Sequence, residues 1–289
     1  MLDVVFDPMA YGFMQRGLVA AILVGVVCAV MGAFVVLRGL AFIGDAVSHA
    51  AFPGLVIAFM LGIPLYIGGA VAAVGTALAI GAVARRGALR FDTAVGVLFA
   101  GTFAFGILLF STIEDYVADL FSYLLGNVLG ISFADIVQIA ILGGVVLSIV
   151  GLLRKELLYA SFDPAGAAAS GLPVVALDYL LLGLVGVTIV VSIQAVGIIM
   201  VVAMLVTPAA TGQLLADRFW DLVRIAIAVA VLAAVSGLYL SFYFNVASGA
   251  SIVLVETLLF GLALFFSPKA GWISKRRRGR PAELPIPLD

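Results

Sequence analysis

The sequence predicts an all-α polytopic membrane protein, and three observations lead there. Of 289 residues, 65% are hydrophobic and 11% are charged, whereas soluble domains carry about a quarter charged residues. The apolar residues fall in long runs of roughly 20, the length a helix needs to cross a hydrocarbon core of about 30 Å. The short alternating segments of a membrane β-barrel are missing. A soluble chain of this size would need far more polar side chains to cover its surface.

Taken in order, the apolar runs predict spans at 17–37, 41–62, 65–84, 93–112, 135–153, 174–192, 195–215, 222–244 and 250–267. That makes nine, with eight as the alternative because several runs are closely spaced. Basic residues concentrate on the cytoplasmic side of membrane proteins. With the N-terminus outside, 14 of the 15 basic residues lie inside, among them Arg38, Arg85, Arg86, Arg90, Arg154, Lys155, Arg218, Arg224, Lys269 and the Lys275–Arg280 cluster. Arg16 is the exception, and the acidic loop of Glu114, Asp115 and Asp119 falls outside. Trp220 and Trp272 sit at inner membrane edges, where indoles anchor.

Residues 1–274 read as one membrane domain, with 154–173 a cytoplasmic segment inside it. Residues 275–289, basic and proline-rich, read as a flexible tail that can touch anionic lipid. The N-terminus lacks the basic start and cleavage site of a signal peptide. The 32 glycines suit close helix packing, and Gly25/Ala29 and Gly96/Ala100 have the small-xxx-small spacing. One cysteine, Cys28, allows neither a disulfide framework nor a thiolate cluster within one chain.

Ionisable side chains inside a membrane are costly, so they mark function by default. Asp45 and His49, the sole histidine, are four residues apart and share one helix face. Carboxylate and imidazole together suit manganese, iron(II) or zinc. The pair can equally be an intramembrane ion pair that orients helices. Pro53 removes the hydrogen bond to the His49 carbonyl and predicts a kink beside the pair. Two ligands are few for a metal, but a two-fold dimer would bring four together.

Phe34-Val35-Val36-Leu37-Arg38 and Phe42-Ile43-Gly44-Asp45-Ala46-Val47-Ser48-His49-Ala50-Ala51-Phe52-Pro53-Gly54 together resemble the signature of the manganese/zinc/iron ABC-importer permeases. Three further blocks resemble the same family in the same order. They are 194–211, containing Gln194, Gly197, Thr207 and Pro208; 161–173, containing Asp163, Pro164 and Gly171; and 248–254. The resemblance runs from about residue 15 to 268. It implies an ABC-importer permease: a homodimer in the bacterial plasma membrane, working with two copies of a separate ATPase and an extracytoplasmic metal-binding protein. It also implies that Asp45 and His49 touch the passing ion, and that 154–173 couples to the ATPase.

The coupling segment has its own physical reading. Asp163 is a helix N-cap, Pro164 suits the first helical position, and Ala165, Gly166 and the alanines after them run to a stop at Gly171. An ordinary interfacial loop helix would have the same pattern. Glu256, inside the last span, departs from the family pattern; it is either an added metal ligand or a local structural partner. Met200 and Met204 could offer sulfur, although methionine on such helices usually packs. Gln194 and Thr207 are polar groups for the pathway or for helix contacts, and Pro208 predicts a kink in the seventh span.

No GxxxxGK[ST] phosphate loop is present, so this chain does not bind and hydrolyse ATP by that means; the resemblance assigns ATP to the partner subunit, and this chain reads as a transport subunit rather than an enzyme. A single histidine excludes an HExxH peptidase. Nothing suggests nucleic acid. Three rivals remain: a permease for metal chelates such as cobalamin or siderophores, a proton-coupled secondary transporter using Asp45, His49 and Glu256, and a membrane scaffold.

Overall fold

Apolar runs of this length can bury their backbone polar groups only by bonding them internally, which makes helices. The computed structural model describes residues 7–87, 90–113, 126 and 128–267, without the side chains of 194–196 and 199. Glu114, Asp115, Asp119, Trp272 and the 275–289 tail lie outside the described residues.

The helices are α1 (Gly12–Leu37), α2 (Ala41–Leu61), α3 (Leu65–Arg85), α4 (Phe91–Phe110), α5 (Phe133–Leu152), α6 (Arg154–Phe162), α7 (Pro164–Ala169), α8 (Val174–Val196), α9 (Ile198–Leu215), α10 (Phe219–Phe244) and α11 (Ser248–Phe266). Eight of the described helices are long and apolar enough to cross a membrane. The run expected at 195–215 differs: its helix starts only at Ile198, after a break at Gly197 (φ 84°). At 18 residues α9 spans about 27 Å, just short of the hydrocarbon core.

The short helix still returns the chain to the inner end of the bundle. The Leu214 carbonyl accepts from Ser267 Oγ at 2.7 Å, and Phe219 packs on Phe34 with ring centroids 4.8 Å apart. The ends of α1, α9 and α11 and the start of α10 therefore share one end. Tyr11 meets Phe242 at the other (5.7 Å), where Arg16 Nε donates to the Ile131 carbonyl at 3.2 Å. Arg16, the exception to the charge rule, is thus tied down by a backbone oxygen.

Helix α1 is the hub, packed against α5, α8, α9 and α10. Ala20, Ala21, Val24, Cys28, Met31 and Phe34 are buried along it. The two small-residue pairs part ways. Gly25 and Ala29 pack against Ala230 of α10, whereas Gly96 and Ala100 are exposed, and a Cβ on Gly96 would meet nothing. Neither Pro53 nor Pro208 interrupts its helix. Helix α5 starts from a capping box: Ser132 Oγ accepts from the Asp135 amide, and Asp135 accepts in return from the Ser132 amide.

The orientation is directly testable. A cysteine replacing Ile63, between α2 and α3, should react with an impermeant maleimide from outside intact cells. One replacing Gly87, after α3, should react only once the membrane is opened. The opposite pattern would reverse the topology.

Candidate functional site

Helix α2 starts almost where α1 stops. Gly39 takes a left-handed conformation (φ 67°), and the Leu40 amide donates to the Val35 carbonyl across the turn. This sets the phase of α2, which carries Asp45 and His49 about 6 and 12 Å from its start. His49 Nε2 lies 3.5 Å from Asp45 Oδ1. That is too long for a strong hydrogen bond. Two ligands of one tetrahedral ion, each about 2.0–2.1 Å from it, stand about 3.3–3.4 Å apart. The pair can thus hold a common ion with little movement.

The Asp45 side chain is 50% exposed and that of His49 24%. His49 Nδ1 is buried without a hydrogen-bond partner. Phe99 and Phe103 of α4 flank the imidazole, with centroids 5.5 and 5.1 Å from it. Among the described residues no group of three or more His, Cys, Asp or Glu converges, so one protomer brings two donors.

A second polar cluster sits at the inner end. Arg38 Nη1 donates to Asp178 Oδ1 at 2.7 Å and Arg38 Nε to Ser161 Oγ at 2.8 Å. Arg85 Nη1 reaches Asp178 Oδ2 at 3.1 Å. One carboxylate thus joins α1, α3 and α8, with α6 attached through Ser161. These groups line a cavity of about 550 Å³ that also touches Pro164.

The coupling segment forms two short helices, α6 and α7. Asp163 Oδ1 accepts from the Gly166 amide at 2.9 Å, and Pro164 occupies the first helical position. Ala165 is exposed beside it. The helix ends at Ala169. Gly171 (φ 83°) closes it, with the Leu172 amide donating to the Ala167 carbonyl. Most of α7 is exposed.

Glu256 lies apart from the Asp–His pair. It is fully buried, and neither carboxylate oxygen has a hydrogen-bond partner. Elsewhere in the bundle Cys28 Sγ is 3.0 Å from Ser192 Oγ, and Ser192 Oγ donates to the Thr188 carbonyl at 2.7 Å. The Gln194 side chain lies outside the described residues. Met204 is fully buried in the apolar core and Met200 packs against it. The Thr207 carbonyl accepts from Thr211 Oγ1 at 2.8 Å.

Asp178, Phe99 and Phe103 were not distinguished by the sequence patterns above. Asp178 carries a usable signal, since it is the sole charged residue of α8, and a lone charge in a membrane helix points to a partner. The phenylalanines carry none in a chain with 20 of them.

The chain is 45% identical over 279 residues to the manganese transport system membrane protein MntC of Halalkalibacterium halodurans, covering 96% of each. It is 43% identical over 267 residues to the chelated iron transport system membrane protein YfeD of Yersinia pestis, covering 92% of this chain and 90% of that one. In structure it resembles PsaBC from Streptococcus pneumoniae, solved in complex with Fab, with a TM-score of 0.85 and 35% identity, covering 96% of this chain and all of that one. The model of the ABC 3 transport family matches residues 10–267, nearly the whole bundle from α1 to α11, and the chain belongs to that family.

Proposed function

We propose that this chain is the membrane subunit of an ATP-driven importer of divalent transition metal ions, with Asp45 and His49 as transient ligands on the route. The observation that carries this reading is the Nε2–Oδ1 separation of 3.5 Å on one face of α2, in a chain similar end to end to manganese and iron transport proteins. Carboxylate plus imidazole suits manganese, iron(II) and zinc. Pro53, one turn beyond His49, leaves the His49 carbonyl without its helical donor and adds an oxygen near the pair. Gln194 and Pro208 flank the same route in this reading, on α8 and α9.

A half-exposed carboxylate in a membrane helix cannot face lipid. A second copy of the chain placed against this face would cover Asp45 and bring the ligand count to four. ATP is hydrolysed by two copies of a separate ATPase, which meets Asp163, Pro164, Ala165, Gly166 and Gly171 at the inner face. An extracytoplasmic binding protein delivers the ion outside. The assembly resides in the bacterial plasma membrane. The ligand role stays with Asp45 and His49, because Glu256 is fully buried inside the protomer and belongs to no group of three or more His, Cys, Asp or Glu among the described residues.

Uptake of manganese, iron and zinc should be measured in a deletion strain complemented with wild type, Asp45→Asn or His49→Ala at matched expression. Each variant is expected to lower uptake of the carried metal about 10-fold or more, the scale of losing one ligand from a weak site. Normal uptake by both variants would remove the ligand assignment. Failure of wild type to restore any of the three metals, with restored uptake of a chelate, would favour a chelate permease.

Replacing Gly171 with Leu should weaken co-purification with the ATPase, because a left-handed φ of 83° strains any side chain. Unchanged co-purification and ATPase activity would remove the docking assignment. Replacing Glu256 with Met should raise the melting midpoint of the purified protein, since an unpaired buried polar group costs about 1–3 kcal/mol. A lower midpoint would show that the carboxyl is held by a partner.

A further inference from the structure

Metal-binding histidines nearly always fix their ring by donating the second N–H to a carboxylate, carbonyl or water. His49 does not. Its Nδ1 is buried and has no hydrogen-bond partner among the described residues, and the contacts that bear on its ring are of another kind. The packing around it is aromatic. The Phe103 ring stands edge-on to the imidazole at 75°, and Phe99 lies tilted at 57°. Phe99 and Phe103 are themselves stacked, with centroids 6.0 Å apart and an interplanar angle of 19°. Edge-to-face and offset contacts of this kind are directional.

The clamp has a built foundation. Phe99, Phe103, Gly106 and Phe110 recur at spacings of four, three and four, so they share one face of α4. Gly106 lets that face close on the proline turn of α2. A Cβ there would lie 3.0 Å from the Pro53 nitrogen and 2.8 Å from Phe52 Cδ1. Phe52 in turn packs on Phe103 and Phe110, both at 5.9 Å. With Gly106 seated at Pro53, Phe103 and Phe99 fall one and two turns back along α4, beside His49.

We propose that Phe99 and Phe103 are positioning residues for ion passage. They hold the His49 imidazole with Nε2 toward Asp45 by ring packing in place of a hydrogen-bond acceptor. The inference rests on His49 being a ligand. It has a consequence for grip. The imidazole is oriented by packing contacts alone, so its hold on an ion can loosen when those contacts move. Conduction needs a site that binds and releases.

The sole histidine of the chain makes this measurable. Permease labelled with ¹⁵N-histidine and freed of any tag, in lipid nanodiscs, gives one pair of ring-nitrogen signals. Manganese uptake by the complete transporter in proteoliposomes gives KM and kcat. In wild type the two nitrogens should show distinct shifts. The Phe99→Leu/Phe103→Leu variant should shift and broaden both signals, because the ring then samples several orientations and loses the flanking ring currents. It should also raise KM for manganese about tenfold, the lower range for losing an outer-shell partner, with kcat changed less. The Phe99→Tyr/Phe103→Tyr variant, which keeps both rings, should restore both readouts. If the double leucine variant does not assemble, Phe99→Leu alone decides, with the same signs. Unchanged shifts and KM in the leucine variant, while His49→Ala lowers uptake, would overturn the positioning role and leave the ligand reading standing. Normal uptake with His49→Ala would instead overturn the ligand reading itself.

Discussion

Asp178 sets the geometry on which much of the molecule depends. Two arginines from two helices share its carboxylate, at 2.7 and 3.1 Å. The groups are partly exposed, so screening keeps the energetic return modest. What the interaction supplies is register. It fixes the inner ends of α1, α3 and α8 on one point. Helix α2 begins three residues after Arg38, so fixing that arginine also fixes the phase with which Asp45 and His49 emerge. The same guanidinium donates to Ser161 of α6, and α6 leads through Asp163 into α7. The Asp45–His49 pair and α7 therefore both connect to one joint, the Arg38–Asp178–Ser161 cluster. A shift of α7 has a continuous path of packed and hydrogen-bonded groups to α2.

The helices were legible because the bilayer leaves so few alternatives. Apolar runs at 41–62, 65–84 and 250–267 became helices within a residue or two of those bounds. The exception, at 195–215, shows what hydropathy misses. Separate spans at 174–192 and 195–215 were expected, but hydropathy put the break at 193–194, and only the backbone shows that it falls at Gly197. Small-residue spacing was a poor guide for a related reason. Gly25/Ala29 and Gly96/Ala100 look alike in sequence, but which face meets a neighbour is decided by the packing of the whole bundle. The Asp45–His49 pair was visible because four residues make one helical turn. Its aromatic clamp was not, since α4 contacts α2 from some fifty residues away.

Two acidic residues inside the bundle illustrate how environment separates roles that sequence alone would merge. Glu256 is enclosed by its own protomer, and among the described residues neither of its carboxylate oxygens has a hydrogen-bond partner. An ionised carboxylate there would have neither solvent nor counter-charge. Asp45 has an imidazole at 3.5 Å and half its surface open. The first setting opposes charge, whereas the second admits a cation. Both side chains satisfy the rule that charge inside a membrane deserves suspicion, yet only one stands where an ion could arrive.

That openness is also the reason a single chain is an incomplete site. Two donors at tetrahedral spacing leave the remaining coordination positions to a second copy, to the His49 carbonyl released by Pro53, or to water carried with the ion. A site completed across a two-fold axis is assembled and dismantled by the relative movement of two protomers. Its affinity then follows the conformational cycle, and neither half alone need bind tightly. An imidazole steered by phenylalanines and lacking a hydrogen-bonded brace suits that arrangement. In the proposed importer such a ring would present its nitrogen toward Asp45 and hold the ion only while the opposing half is close.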